Sequence, residues 1–159
     1  MRQMLLLILA VLAVAQSVSA QSVNWVQYIN PTDRPDGASG VCLFGEYVAV
    51  VGSANFYPLL EFVALLDKAT GEVVKTWIGE RGVLYNCLSV GDRLYVVGWN
   101  RVYIFDRGLN VIKRIETNWV PNAIAFDGGY LYLAGGIQRD VDGDGISEWI
   151  WRIEKRTLD

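Results

Sequence analysis

Histidine is absent from this sequence. Its absence excludes a Ser-His-Asp or Cys-His catalytic group, a zinc site with histidine ligands and a haem held by histidine. Charged residues are also scarce, at 19% of the 159 residues, and the formal net charge is −3. The basic residues occur singly or in pairs and form no stripe that could follow a phosphate backbone. We therefore expect no nucleic-acid partner.

Apolar residues, by contrast, make up 52% of the chain, which excludes disorder and indicates an extensively buried domain. Residues 1–20 carry Arg2, an apolar stretch over 5–15 and a final VSA tripeptide, and this pattern predicts a secretory signal peptide. A membrane anchor is the alternative, but the stretch is shorter than the roughly 20 residues that cross a bilayer. We expect a secreted protein, extracellular or at the cell surface, with no membrane span in its mature part, residues 21–159.

The clearest strand pattern lies in residues 93–116. Three short runs rich in branched and aromatic residues, over 94–97, 102–105 and 111–115, are separated by turn residues. A fourth run, over 84–90, precedes them. Together the four runs predict an antiparallel meander of the kind that forms one blade of a β-propeller.

Two sets of glycines extend this unit into a repeat, because successive members are 46 and 37 residues apart in both sets. The sets are Gly45, Gly91 and Gly128 within turns, and Gly52, Gly98 and Gly135 at strand ends. A period near 40 residues with four strands is typical of propeller blades. We therefore predict an all-β fold of three four-stranded antiparallel repeats, with blade 1 over 41–78, blade 2 over 84–116 and blade 3 over 122–159.

The third repeat lacks a fourth strand, because its third strand is predicted over 149–153 and a turn is predicted to begin at Glu154. Residues 22–29 alternate apolar and polar side chains and predict a strand. This spare strand, over 23–29, is expected to complete the last blade and so remove two exposed edges. In one alternative, two chains exchange these strands and form a homodimer with a six-bladed ring. In the other, the chain is a shortened relative of a longer propeller.

Residues 62–74, FVALLDKATGEVV, resemble the aspartate, threonine and glycine turn of the PQQ-like and YVTN-type propeller repeats. The second repeat retains Asp106, and the third has Glu154. The resemblance implies the propeller fold over most of the mature chain. The larger quinone-dependent dehydrogenases of the PQQ family use a catalytic aspartate in a cofactor well. No residue here matches that aspartate, so the resemblance implies no catalytic residue.

The acidic loop, residues 140–148, carries the sharpest motif in the chain. Oxygen ligands recur at alternate positions, and the expected set is Asp140, Asp142, Asp144, the carbonyl of Ile146 and Glu148. A dense shell of oxygen ligands with a glycine at the sharp turn, here Gly145, suits calcium. Trp151 stands where an EF-hand has its bidentate glutamate, and the flanks are predicted strands. The loop instead resembles the β-hairpin calcium loops of integrin-type FG-GAP propeller repeats, which implies a calcium cofactor. The alternative is a solvated acidic hairpin turn.

Cys42 and Cys87 occupy equivalent positions on the first strands of adjacent predicted blades. A pair of cysteines in a secreted protein can form a disulfide. The alternative is two small side chains that fill the crowded axis of a propeller. The distance between the two Cα atoms distinguishes the alternatives.

Four aromatic residues lie in connections of variable length that we expect on one face of the fold: Phe56, Tyr57, Trp99 and Trp119. Variable loops on a regular scaffold are the usual place for binding, so these residues are candidates for contact with a glycan or protein ligand. The alternative is that the rings pack the loops together.

These observations support three hypotheses about function. The first is a secreted, calcium-stabilised propeller module for extracellular binding or cell-surface assembly. The second is a carbohydrate-active enzyme that uses two carboxylates. The candidates for that pair are Asp33, Asp36, Glu80 and Asp127, which form no recognisable pair in the sequence. The third is a fragment of a longer propeller without a function of its own.

Overall fold

A computed structural model describes residues 23–30, 32, 34, 36–55 and 57–157. The predicted signal peptide, Phe56 and Asp33 lie outside the described residues. The described chain is all-β, and its strands form three antiparallel sheets that follow one another along the sequence. Within the described part of the chain, no helix has the length and apolar character needed to cross a membrane.

The first two sheets have four strands each and the third has three, in chain order within each sheet. The first sheet contains β1 (Gly37–Phe44), β2 (Tyr47–Ala54), β3 (Leu60–Asp67) and β4 (Val73–Arg81). The second contains β5 (Leu84–Val90), β6 (Arg93–Gly98), β7 (Arg101–Phe105) and β8 (Val111–Glu116). The third contains β9 (Val120–Asp127), β10 (Tyr130–Arg139) and β11 (Glu148–Thr157). The prediction of an all-β chain of antiparallel sheets is confirmed; the described sheets form no closed propeller.

The spacing of the glycines has two physical causes. Gly45, Gly91 and Gly128 begin the turn between the first two strands of each sheet, with φ values of 63°, 61° and 55° that favour glycine. Further along the second strand, a Cβ atom on Gly52 or Gly135 would lie 1.9 Å from a backbone carbonyl oxygen of the neighbouring strand. All three sheets therefore need glycine for the conformation of the turn, and the first and third sheets also need it where two strands approach closely.

Successive sheets pack in the same sense. Each sheet has two faces, and we name them by the side chains of its second strand. The forward face bears Ala49 and Val51 in β2, Tyr95 and Val97 in β6, and Tyr132 and Ala134 in β10. Because side chains alternate along a strand, their neighbours form the backward face. The forward face of the first sheet packs on Leu94 and Val96 of the second, around the ring of Trp77. The forward face of the second sheet packs on Leu131 and Leu133 of the third.

The N-terminal segment, residues 23–30, is not a strand, contrary to the prediction for 23–29. Trp25 and Ile29 pack on the backward face of the first sheet, against Phe62 and neighbouring apolar residues. The Trp25 indole also donates a hydrogen bond to the Lys68 carbonyl oxygen at 3.3 Å. The segment thus covers an apolar face of the first sheet instead of pairing with the free edge of the third sheet. In this chain the third sheet therefore keeps three described strands.

The prediction for the end of the third repeat is also wrong. No turn begins at Glu154, because β11 continues to Thr157. The register pairs Tyr130 with Thr157, as it pairs Tyr47 with Asp67 in the first sheet. Thr157, rather than Glu154, is thus the structural equivalent of Asp67. Glu154 instead points toward the second sheet and binds Arg152 and the Trp119 indole, at 3.1 and 3.0 Å.

Candidate functional site

The acidic loop connects β10 and β11 and brings three of its predicted ligands together. Carboxylate oxygens of Asp140, Asp142 and Asp144 all lie within 4.8 Å of one another, and all three residues are exposed. Backbone amides of the loop hold them: Gly143 and Gly145 donate to Asp140 at 2.7 and 3.0 Å. Both glycines have positive φ, so the chain can wrap around the carboxylates.

This spacing fits a calcium ion. Calcium–oxygen distances are about 2.3 to 2.6 Å, so ligands on opposite sides of the ion are about 5 Å apart at most. Three carboxylate oxygens within 4.8 Å can therefore share one ion. No described basic side chain forms an ion pair with these aspartates. Within the described residues, no positive charge therefore offsets the repulsion between the three carboxylates. The residues present fit a hard divalent cation held by oxygen.

The fourth predicted carboxylate ligand is placed differently. Glu148 accepts a hydrogen bond from the Val141 amide at 3.0 Å and so closes the base of the acidic loop. It does not belong to the cluster of three carboxylates. The Ile146 amide donates to Asp144 at 2.7 Å, which orients that carboxylate. The cluster comprises the three aspartates, and Glu148 borders it.

Cys42 and Cys87 are joined by a disulfide, with their Cα atoms 5.8 Å apart. The bond links β1 to β5, the first strands of the first two sheets. Cys87 is buried within the core that these sheets share. The disulfide thus fastens the two sheets where their inner strands meet.

The aromatic residues that we predicted on one binding face lie in different environments. Trp99 is half-exposed, whereas Trp119 is buried and packs the connection between β8 and β9. The Trp119 ring lies 5.3 Å from the Arg152 guanidinium. Tyr57 is exposed and lies 5.9 Å from the guanidinium of Arg81, on another connection. Phe56 lies outside the described residues.

Trp99 and Trp119 nevertheless line one cleft, which lies between the connections of the second and third sheets and has a volume of about 780 Å³. The other residues that line the cleft were not predicted from the sequence, and five of them carry an aromatic ring or an amide side chain. These five are Tyr85, Asn100, Asn118, Gln138 and Trp149. These residues come from separate connections and strand ends, so no local motif marks them. A tryptophan directly after the acidic loop, as in Glu148-Trp149, is the one signal that the sequence offers.

A buried charged network was also missed. The Glu61 carboxylate is fully buried in β3, accepts a hydrogen bond from the Tyr103 hydroxyl at 2.7 Å and lies 3.6 Å from the Arg101 guanidinium. Burial raises the pKa of Glu61, while Tyr103 and Arg101 oppose that shift. Burial likewise raises the pKa of Tyr103 to about 12, so its hydroxyl remains a donor at neutral pH. Arg101 also binds Glu80 at 3.0 Å.

The acids considered for catalysis do not form a pair. Asp36 accepts hydrogen bonds from Thr32 and from the Asn55 amide, at 2.9 and 2.6 Å, and so organises a loop. Glu80 is occupied by Arg101 and Arg114. Asp127 ends β9 at the opposite end of the sheets. Among the described candidates, each carboxylate therefore has a separate environment.

The sequence matches no protein-family model and no curated protein.

Proposed function

We propose that this protein is a secreted, calcium-stabilised propeller module that assembles with a second copy of itself and binds a ligand outside the cell. The observation that carries the proposal is the repeated forward-to-backward packing of its sheets, because the forward face of the third sheet has no partner among the residues that the structure describes. The resemblance to PQQ-like and FG-GAP-type repeats agrees with such a module. The disulfide and the predicted signal peptide agree with secretion.

The open forward face is apolar. On β11 it bears Trp151 and Ile153, which are exposed by 92% and 76%. Contiguous exposed apolar side chains of this size are typical of interaction surfaces. The equivalent faces of the first and second sheets are both buried under the next sheet. Continuing the same packing would place the backward face of another first sheet on these residues.

A second copy can supply that backward face. In the single chain the face is covered by Trp25 and Ile29 of the N-terminal segment. Moving residues 23–29 onto the free edge of β11 in a partner would uncover Phe62 and Leu66 and complete a four-stranded third sheet at the same time. Two chains that exchange this strand make six sheets, within the usual four to eight blades of a propeller. Exchange of an identical element is a low-cost route to symmetric dimers.

The first prediction concerns this assembly. Trp151→Glu should abolish association while leaving the fold of each chain intact, because the Trp151 side chain is almost fully exposed within one chain. Sedimentation velocity measures the mass of each species. Tyr57→Glu provides the matched control, since Tyr57 is also an exposed aromatic residue but lies outside the open face. A monomeric wild type, or a dimeric Trp151→Glu variant, would contradict the proposed assembly.

The second prediction concerns calcium. With a dissociation constant of about 10⁻⁴ to 10⁻³ M, 10 mM calcium should stabilise the protein by about 1.4 to 2.7 kcal/mol. Thermal unfolding with calcium, with magnesium and with a chelator measures the effect. Asp142→Asn should remove most of the gain and, without calcium, should leave stability unchanged or higher because a like charge is lost. Asp92→Asn, at an exposed turn of the second sheet, is the control. An equal calcium response in both variants would exclude the acidic loop as the site.

A further inference from the structure

We propose that the cleft between the second and third sheets binds a neutral oligosaccharide. The inference rests on the proposed extracellular binding role and names its ligand. The cleft is lined by aromatic rings and by amide side chains, and six residues carry the argument: Tyr85, Trp99, Asn100, Asn118, Gln138 and Trp149.

The aromatic rings provide stacking surfaces. Trp99 is exposed by 50% and Trp149 by 62%, and Tyr85 is half-buried beside them. The face of an aromatic ring carries negative charge density and attracts the weakly positive C–H groups on the flat side of a sugar ring. Leaving two tryptophans in water is unfavourable unless a ligand or partner covers them. Sugar rings have this combination of an apolar side and polar edges.

The turn that bears Trp99 is held in place. The Trp99 amide donates to the Val83 carbonyl oxygen at 2.9 Å, and Asn100, with a φ of 57°, accepts a hydrogen bond from the Thr117 amide at 2.7 Å. The neighbouring wall is also fixed, since the Thr117 hydroxyl donates to the Trp119 carbonyl oxygen at 2.7 Å. A ring on a fixed turn loses little conformational entropy on binding, which favours affinity.

The polar groups of the cleft suit hydroxyl groups. Asn100, Asn118 and Gln138 each offer both donors and acceptors, as a sugar hydroxyl does. The Arg152 guanidinium donates to the Asn118 side-chain oxygen at 3.4 Å, which leaves the amide hydrogens of Asn118 directed elsewhere. The side chains are thus able to serve as donors toward hydroxyl oxygens.

No charged side chain lines the cleft among the described residues. A phosphate, a uronic acid or an acidic peptide would therefore lose its hydration without gaining a charged partner, which is unfavourable. A neutral sugar carries no such cost. The volume, about 780 Å³, lies in the usual range for small-ligand sites and is open at the surface, which suits part of a longer chain. The chemistry favours a neutral oligosaccharide over anionic ligands.

Isothermal titration of the full chain with neutral hexasaccharides of glucose, mannose, galactose and xylose tests the inference, with hexagalacturonate as the anionic comparison. We expect at least one neutral sugar to bind and Trp99→Ala to weaken it by about tenfold or more, as for a central aromatic contact. Gln138→Ala should weaken binding less. Tyr57→Ala, an exposed ring outside the cleft, should leave it unchanged.

Three results would overturn the inference: no binding of any neutral sugar, equal binding by Trp99→Ala with an unchanged unfolding midpoint, or preferential binding of hexagalacturonate. The mass of the same protein samples, measured in the presence of calcium, shows whether only the ligand is wrong or the proposed function as a whole. A calcium-bound dimer that binds no neutral sugar contradicts the ligand alone. A metal-free monomer contradicts the module itself.

Discussion

Replacing Glu61 with alanine is expected to lower the free energy of unfolding by about 3 to 5 kcal/mol, the cost of breaking a buried ion pair by removing one partner. The side chain is fully buried, and its loss leaves the Arg101 guanidinium without its buried counter-charge and the Tyr103 hydroxyl without its hydrogen-bond acceptor. Urea denaturation measures the change. Glu80→Ala is the matched control, because Glu80 also binds Arg101 but is largely exposed to solvent, so its loss should lower the free energy of unfolding much less than the loss of Glu61.

The same group gives stability a defined dependence on pH. Burial raises the pKa of Glu61 above its ordinary value of 4.5. A group whose pKa is raised by folding contributes stability that is fully present below its unfolded pKa and is lost as the pH rises through its folded pKa. The free energy of unfolding of the wild type, minus that of Glu61→Gln, should therefore fall as the pH rises from 4.5. A difference that increases with pH would mean that Arg101 outweighs burial.

Removing the disulfide is expected to have an effect of similar size. Cys42 and Cys87 are separated by 45 residues, and a loop of that length gives a chain-entropy stabilisation of about 4 kcal/mol. The double variant Cys42→Ala/Cys87→Ala should therefore unfold at a much lower urea concentration. Alanine keeps the site apolar, because Cys87 lies in the core between the sheets.

The wild type after reduction is the control for this variant, since it loses the bond but keeps both side-chain volumes. We expect the reduced protein to lose most of the same stability, and the double variant to lose slightly more because two sulfur atoms leave the core. Equal urea midpoints for the oxidised and reduced proteins would contradict a structural role for the bond.

The sheets were predictable because their signals are local. Gly45 and Gly91 mark turns that need positive φ, and each turn lies between two runs of strand-forming residues. The cluster of Asp140, Asp142 and Asp144 was predictable for the same reason, since a single loop supplies all three carboxylates. Spacing along the chain determines spacing in the structure when the backbone between residues is short.

The remaining features depend on contacts between distant residues. Glu61 stands in an apolar run, and the Arg101 that makes its burial tolerable lies forty positions later. The charged residues from Glu154 onward predict a turn, whereas Glu154 and Arg156 continue the inward row of β11 that begins with Arg152. The N-terminal segment has a strand pattern, yet packing of Trp25 on the first sheet determines its path. In each case, contacts between distant residues determine the structure more strongly than the local preference of the sequence.

The central claim is that the chain is a calcium-binding propeller module completed by a second copy. Native mass spectrometry of the protein recovered after secretion, in millimolar calcium, tests it most directly, because one spectrum reports the N-terminus, the subunit number and the bound metal. The account predicts two chains that begin at Gln21, with one calcium ion per chain. A metal-free monomer would contradict both the ring and the acidic loop as a calcium site.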